Sequence, residues 1–283
     1  MALGHCTEQI LPVCGIILET IESVARYRTL YDDAGLYTVK HAGKVLHELA
    51  QQLRISEKQY EAFCYVLTAG LFDHYTYPQS EAAAFHPNLA AAMEYIINIL
   101  KTPNFDRDYN PPDSQLKFME MALDVISNRL LYRTASGTLG MALNCAEPGD
   151  IIVALLGFGM TMVLRRGERN TYKVVGESYC YGYMTCEGFL GPLPSTHNFV
   201  SIKAKRLGGI RLAFVERGSD TLTVEDPRLG PLPDDWRFVD HDEKHLFHNF
   251  ANQETGEITR IDPRLLPEAL LARGVPLQYF DLI

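Results

Sequence analysis

Residues 128–187 read NRLLYRTASGTLGMALNCAEPGDIIVALLGFGMTMVLRRGERNTYKVVGESYCYGYMTCE, and this stretch decides the fold. Short β-branched and aromatic runs are punctuated by Gly137, Gly140, Gly149, Gly157 and Gly176. Runs of that length, broken by turn formers, make a meander of small strands. The spacing predicts strands over Leu139–Ala142, Ile151–Leu156, Met162–Leu164, Tyr172–Val175 and Cys180–Met184. Strands this short suit a small antiparallel barrel or folded sheet. In Pro148-Gly149-Asp150 proline fixes the first φ and glycine accepts a positive one, so a turn is expected there. Further on, Phe199–Ala204 and Ile210–Val215 flank Leu207-Gly208-Gly209 and predict a hairpin.

Upstream the period changes. Ile16, Ile17, Thr20, Ile21 and Val24 recur at three- and four-residue spacing, which predicts an apolar helical stripe. Val39, Ala42, Val45, Leu46, Leu49 and Leu53 repeat that pattern. Ser56-Glu57 opens a third helix with Tyr60, Phe63, Cys64, Leu67 and Leu71 on its buried side. Leu89–Leu100 and Leu116–Leu130 are a fourth and a fifth. Helices first and strands later is the order of an α+β protein. The expected division is a helical region over 1–131, a small β-barrel module over 132–225, and a short β appendage with a C-terminal helix and tail over 226–283.

Several of these residues carry a family resemblance. The pattern N-R-x₄-T-x₂-G-x₂-G-M-A, then P-G-D-I-I-V-A-L-L-G, then Y-K-V-V-G-E-S-Y resembles the C-terminal module of fungal heterokaryon-incompatibility (HET) proteins. The Gly15–Ile21 run, Glu61–Gly70 and the tail from Ala269 to Ile283 extend the likeness over most of the chain. Such proteins usually carry an N-terminal effector domain of TIR-like type ahead of this module, and the chain is expected to be the module standing alone. Residues 232–263 resemble a WW module of three short strands through Leu232, Pro233, Trp236, Asn249, Thr255, Gly256 and Pro263. Where the second WW tryptophan would stand, the chain has Arg260. Around this unit, Asp226-Pro-Arg-Leu and Asp262-Pro-Arg-Leu nearly repeat one another.

Bulk properties narrow the function. A chain of 283 residues can bury a sizeable core. A net charge of −9 argues against nucleic acid or an anionic membrane as the main partner. The apolar run from Ile10 to Ile21 is too short to span a bilayer, contains Glu19, and lacks the basic start of a signal peptide. Six scattered cysteines without Cys-x-x-Cys pairs fit a reducing compartment, so a cytoplasmic location is expected.

The strongest chemical candidate is Gly176–Glu187. If the segment is extended, Tyr179, Tyr181 and Tyr183 share one face, with Glu177 and Glu187 at its ends. Three phenols could line a polarised apolar pocket, or they could form a cross-strand aromatic ladder. Charged groups in apolar context are rarely buried unpaired. Arg165 could therefore pair with Glu177 or Glu187, or face a substrate, while Arg129 and Asp150 read as structural. His74, beside Asp73, could act as a general base or cap a helix. His241, His245 and His248 have zinc-like spacing, but a solvated loop explains them better. Leu156-Gly-Phe-Gly-Met-Thr lacks the third glycine of a dinucleotide loop.

These residues lead to one functional expectation and one rival. The first is a pocket for an apolar small molecule in fungal secondary metabolism, a cyclase or isomerase using neither cofactor nor metal. Tyr181, Tyr179 and Glu177 would be catalytic, and Tyr183, Glu187, Arg165 and His74 would bind substrate. The rival is an incompatibility-related regulatory or protein-binding module without catalysis, with the WW-like unit as its protein contact. Because Arg260 replaces an aromatic groove residue, Pro-rich peptides titrated against the chain should show no micromolar binding that Trp236→Ala abolishes.

Overall fold

The computed structural model describes residues 10–27, 39–73, 76–77, 88–102, 110–203, 210–219, 222–239 and 249–283. The chain divides into two units. One comprises Met1–Phe72, Phe85–Thr185 and Tyr279–Ile283, the other Asp73–Ala84 and Cys186–Gln278. Numbered along the chain, the first unit holds β1 (Leu11–Ala25), α1 (Val39–Gln52) and α2 (Tyr60–Leu67). The second unit contributes β2 (Thr76–Tyr77). The first then continues with α3 (Leu89–Lys101), α4 (Asp113–Ile126), β3 (Arg129–Thr134), β4 (Leu139–Leu143), β5 (Ile151–Leu155), β6 (Thr161–Arg166) and β7 (Thr171–Cys180).

The stretch expected to be the first helix is a strand. Six β-branched residues in β1, from Val13 to Val24, favour the pleated conformation. The helical spacing has a local cause. Register shifts between Ile17 and Glu19 and between Ile21 and Ser23 each break the alternation of side chains. As a result Leu18, Ile21 and Val24, three residues apart, face the same apolar cluster. The sheet-forming part of the chain thus begins far ahead of residue 132.

β1 also closes the sheet. Gly15–Thr20 pair antiparallel with β5, and Ile21–Ala25 pair antiparallel with β3. With β3–β4, β4–β7, β7–β6 and β6–β5 also antiparallel, the six strands form a closed ring of pairings. Every strand of the ring sends a side chain into one cluster: Ile21, Tyr132, Ala142, Ile152, Val163 and Cys180. Alternation then puts Leu131, Leu139 and Met141 on the outer side, where α1 to α4 cover them. The helices form as their apolar period predicts, although α4 stops at Ile126 and Leu130 belongs to β3. Asn88 caps α3 by accepting from Ala91 N at 3.2 Å.

Inside the ring, Tyr132 is fully buried and its ring lies over Gly140. A Cβ at Gly140 would stand 2.1 Å from Tyr132 Cζ. Tyr172–Val175 and Cys180–Met184, expected as two strands, are one ten-residue strand followed by a turn. At the expected break, Gly176 takes φ +151 opposite the irregularity between Val163 and Leu164.

In the second unit, β8 (His197–Lys203) and β9 (Ile210–Glu216) pair antiparallel as expected, flanked by β2 and β10 (Leu222–Thr223), while the expected turn at Leu207-Gly208-Gly209 lies outside the described residues. A short α5 (Glu187–Leu190) precedes them. β11 (Trp236–Val239), β12 (Asn249–Asn252) and β13 (Ile258–Thr259) make a three-stranded antiparallel sheet. The asparagine that organises its turn is Asn252, which accepts from the backbone of Glu254 and Thr255 and donates to Asp235. After α6 (Pro267–Ala272) the chain returns to the first unit as β14 (Gln278–Leu282). Among the described residues no helix is long and apolar enough to cross a membrane.

The two Asp-Pro-Arg repeats adopt one geometry. Asp226 accepts from Arg228 N, Nε and Nη2, and Asp262 accepts likewise from Arg264. Both arginine side chains are about as buried as core leucines, at 4% and 5% exposure. Each spends its remaining nitrogen on a carbonyl, Arg228 on Gly191 and Arg264 on Gly230. A buried guanidinium is tolerated only when so fully paired.

Gly140→Ala should destabilise the protein by about 1–3 kcal/mol or more, the cost of an extra methyl forced into a filled core. Urea denaturation followed by tryptophan-independent circular dichroism measures it. A change within experimental error would mean that Tyr132 has room to move.

Candidate functional site

The residues singled out by sequence meet along β7 and separate at its end. Ser178 and Cys180 point into the ring, and Tyr179 points out toward the helices. The strand stops at Cys180, Gly182 takes φ +82, and Tyr183 N donates back to Cys180 O at 3.1 Å. The three tyrosines therefore do not share a face. The phenol end of Tyr179 lies so close to Gly70 that a Cβ there would be 2.9 Å from its hydroxyl oxygen. Tyr181 sets its ring 5.5 Å from that of Tyr65, tilted by 52°. Both belong to the helix-covered side, whereas Tyr183 sits against the interior cluster.

The charged groups also find other partners than expected. Glu177 accepts from Arg129 Nη2 across the sheet. Arg165 pairs with neither Glu177 nor Glu187. Its Nε and Nη2 donate to the two oxygens of Asp150 at 2.8 and 2.9 Å, and Nη2 also reaches Cys145 O at 2.8 Å. Asp150 is only 3% exposed and accepts a further bond from Glu147 N. The carboxylate of Asp150 holds the Arg165 guanidinium well above its ordinary pKa, so this cation stays charged. Glu187 opens α5 in the second unit. His74, His241, His245 and His248 lie outside the described residues.

Sequence reasoning missed the polar cluster inside the ring. Tyr132 Oη and Ser178 Oγ are 2.7 Å apart, and Thr161 Oγ1 donates to Ser178 O at 2.7 Å. Cys180 N donates to the Met184 sulfur at 3.4 Å. The signal was available, since Tyr132, Ser178 and Cys180 each fall on the inward phase of their strands. Burial pushes the Tyr132 phenol well above its usual pKa, so it stays protonated and can donate to Ser178. Burial likewise pushes up the Cys64 thiol, which removes it as a nucleophile. Among the described residues no group of three or more His, Cys, Asp or Glu could hold a metal ion.

Residues 106–192 match the family model of the Het-6 beta-barrel domain. That span runs from ahead of α4 through β3–β7 to just beyond α5, so it contains five of the six ring strands and every residue expected to catalyse or to bind substrate except His74. No curated protein and no solved structure matches the chain. The match supports a HET-related C-terminal module.

Two stability measurements follow from this geometry. Asp150→Asn should cost about 1.5–3 kcal/mol in thermal or chemical unfolding, the scale of hydrogen bonds to a charged partner. Stability should also fall as pH rises past about 10. There an unfolded tyrosine releases its proton while buried Tyr132 keeps its own, so the unfolded state binds fewer protons. Tyr132→Phe should flatten that alkaline slope, and an unchanged slope would show that Tyr132 titrates in the fold.

Proposed function

We propose that this chain is a fungal heterokaryon-incompatibility-related module that works in the cytoplasm by binding protein rather than by transforming a small molecule. The observation that carries this reading is how the tyrosine strand is used. Tyr179 seats on Gly70, Tyr181 on Tyr65, and Glu177 on Arg129, so the groups that a cyclase would aim at a substrate build the wall instead. A donor worth about 2.7–4 kcal/mol to a transition state must point into the space that the reacting atoms occupy. The large apolar side chains that stay exposed support binding. Phe158 and Met160 on the β5–β6 turn are 53% and 40% exposed, and Phe238, Ile258 and Ile261 of the second unit are exposed as well. Exposed apolar groups gathered on a turn or a small sheet suit protein contact. The WW-like unit is the second surface in this reading, used without the usual aromatic pair.

Two full-length variants in a fungal host separate binding from catalysis. Phe158→Asp combined with Met160→Asp should leave the melting temperature near wild type and abolish any effect of the gene on growth of heterokaryons formed with a strain lacking it. Tyr181→Phe should leave both unchanged. The opposite pattern, loss in Tyr181→Phe with an undisturbed melt and retention in the double variant, would return the strand to small-molecule chemistry.

A further inference from the structure

The outer face of the β5–β6 hairpin is covered by the last strand of the chain. Ile151, Val153, Leu155 and Leu164 of that face join Phe280 and Leu282 in one cluster. Phe280 is fully buried, its ring edge-on to Tyr172 with centroids 5.2 Å apart. β14 runs parallel to β7, with Asp281 opposite Thr171 and Leu282 opposite Tyr172, and also hydrogen-bonds with β1. Ile283 N donates to Tyr172 O at 2.9 Å. Tyr279, 71% exposed, and Asp281 point away. The face therefore accepts an extended segment with buried apolar residues at alternate positions, held by a short ladder.

That strand is an outlier in its own unit. Everything from Cys186 to Gln278 belongs to the second unit, and only Tyr279–Ile283 returns. The link just before it, Arg273 to Pro276, includes Gly274 at φ +84 and is largely exposed. A strand joined to its acceptor face only through a separate unit makes the same bonds whichever molecule supplies it. The choice between self and neighbour is then set by effective concentration.

We propose that the face of β5–β6 is a strand-acceptor groove and that a second copy of this chain fills it with its own Tyr279–Leu282. The product is a dimer that has exchanged strands reciprocally. Its basis is separate from the proposed function, because it needs neither the Phe158 turn nor the WW-like unit.

The experiment uses full-length protein carrying two different affinity tags. The two preparations are mixed, held a few degrees below the melting temperature, cooled, and recovered through one tag. The second tag should co-purify, far above the level in an unheated mixture. An excess of a peptide of residues 276–283 during the warm step should reduce the mixed species at least tenfold, and the same peptide carrying Phe280→Asp should not. The full-length Phe280→Asp protein, if it folds, should give no mixed species with itself. Absence of any mixed species overturns the proposal. So does a mixed species that the wild-type peptide leaves intact, which would place the interface elsewhere.

Discussion

The first unit depends on a single strand serving two neighbours. β1 pairs with β5 through Thr20 and with β3 from Ile21 onward, and that change of partner turns an open sheet into a ring. The crossing point is reinforced by backbone bonds, from Ile21 N to Asp150 O and from Gly149 N to Ile21 O, both 2.9 Å. Asp150 is in turn fixed by Arg165 on β6. One buried aspartate thus ties together the start of β5, the middle of β1 and the end of β6, through its backbone carbonyl to Ile21 and its carboxylate to Arg165. Closure pairs the six strands all the way round, and β14 takes up edge stretches that the ring leaves on β1 and β7.

Once the ring is closed, its inside and outside obey different rules. The interior is small enough that Tyr132 needs a glycine beneath it, and its fully buried hydroxyl finds its partner in Ser178. The outside is apolar in two places, one covered by α1 to α4 and the other by β14. The second unit is built on another principle. Few large apolar side chains are buried among its described residues, Phe214, Phe250 and Leu270 being the main ones. Two buried arginines, each clasped by an aspartate two residues earlier, take over much of the organising.

How much of this could be read from residues alone follows the physics of each element. α1 to α3 were legible because an apolar period of 3.6 has one structural meaning over a dozen residues. β4, β5 and β6 were legible because glycine and proline bound them. β1 was not, because its register shifts convert a period of two into a period near three. In sequence Gly176 signals a break in β7, whereas in the fold it lets the strand continue past Leu143, whose Cδ1 would lie 2.4 Å from a Cβ. The tyrosine face failed for a related reason, since alternation holds only while the strand lasts and it ends at Cys180. The partner of Arg165 could not be read, because fifteen residues and a turn separate it from Asp150. The Asp-Pro-Arg repeat was legible as a repeat, and its shared geometry is what the repetition meant.

The order of β14 in the chain has a consequence for synthesis. The ring strands and their helices leave the ribosome ahead of β14, so the hairpin face of Ile151, Val153 and Leu164 lacks that cover until Cys186–Gln278 has been made. At ordinary elongation rates that delay is on the order of ten seconds. Hydrophobic collapse takes well under a millisecond. The hairpin face therefore stays bare on that side until Tyr279–Ile283 follow, and it is in that interval that the growing chain has need of a chaperone.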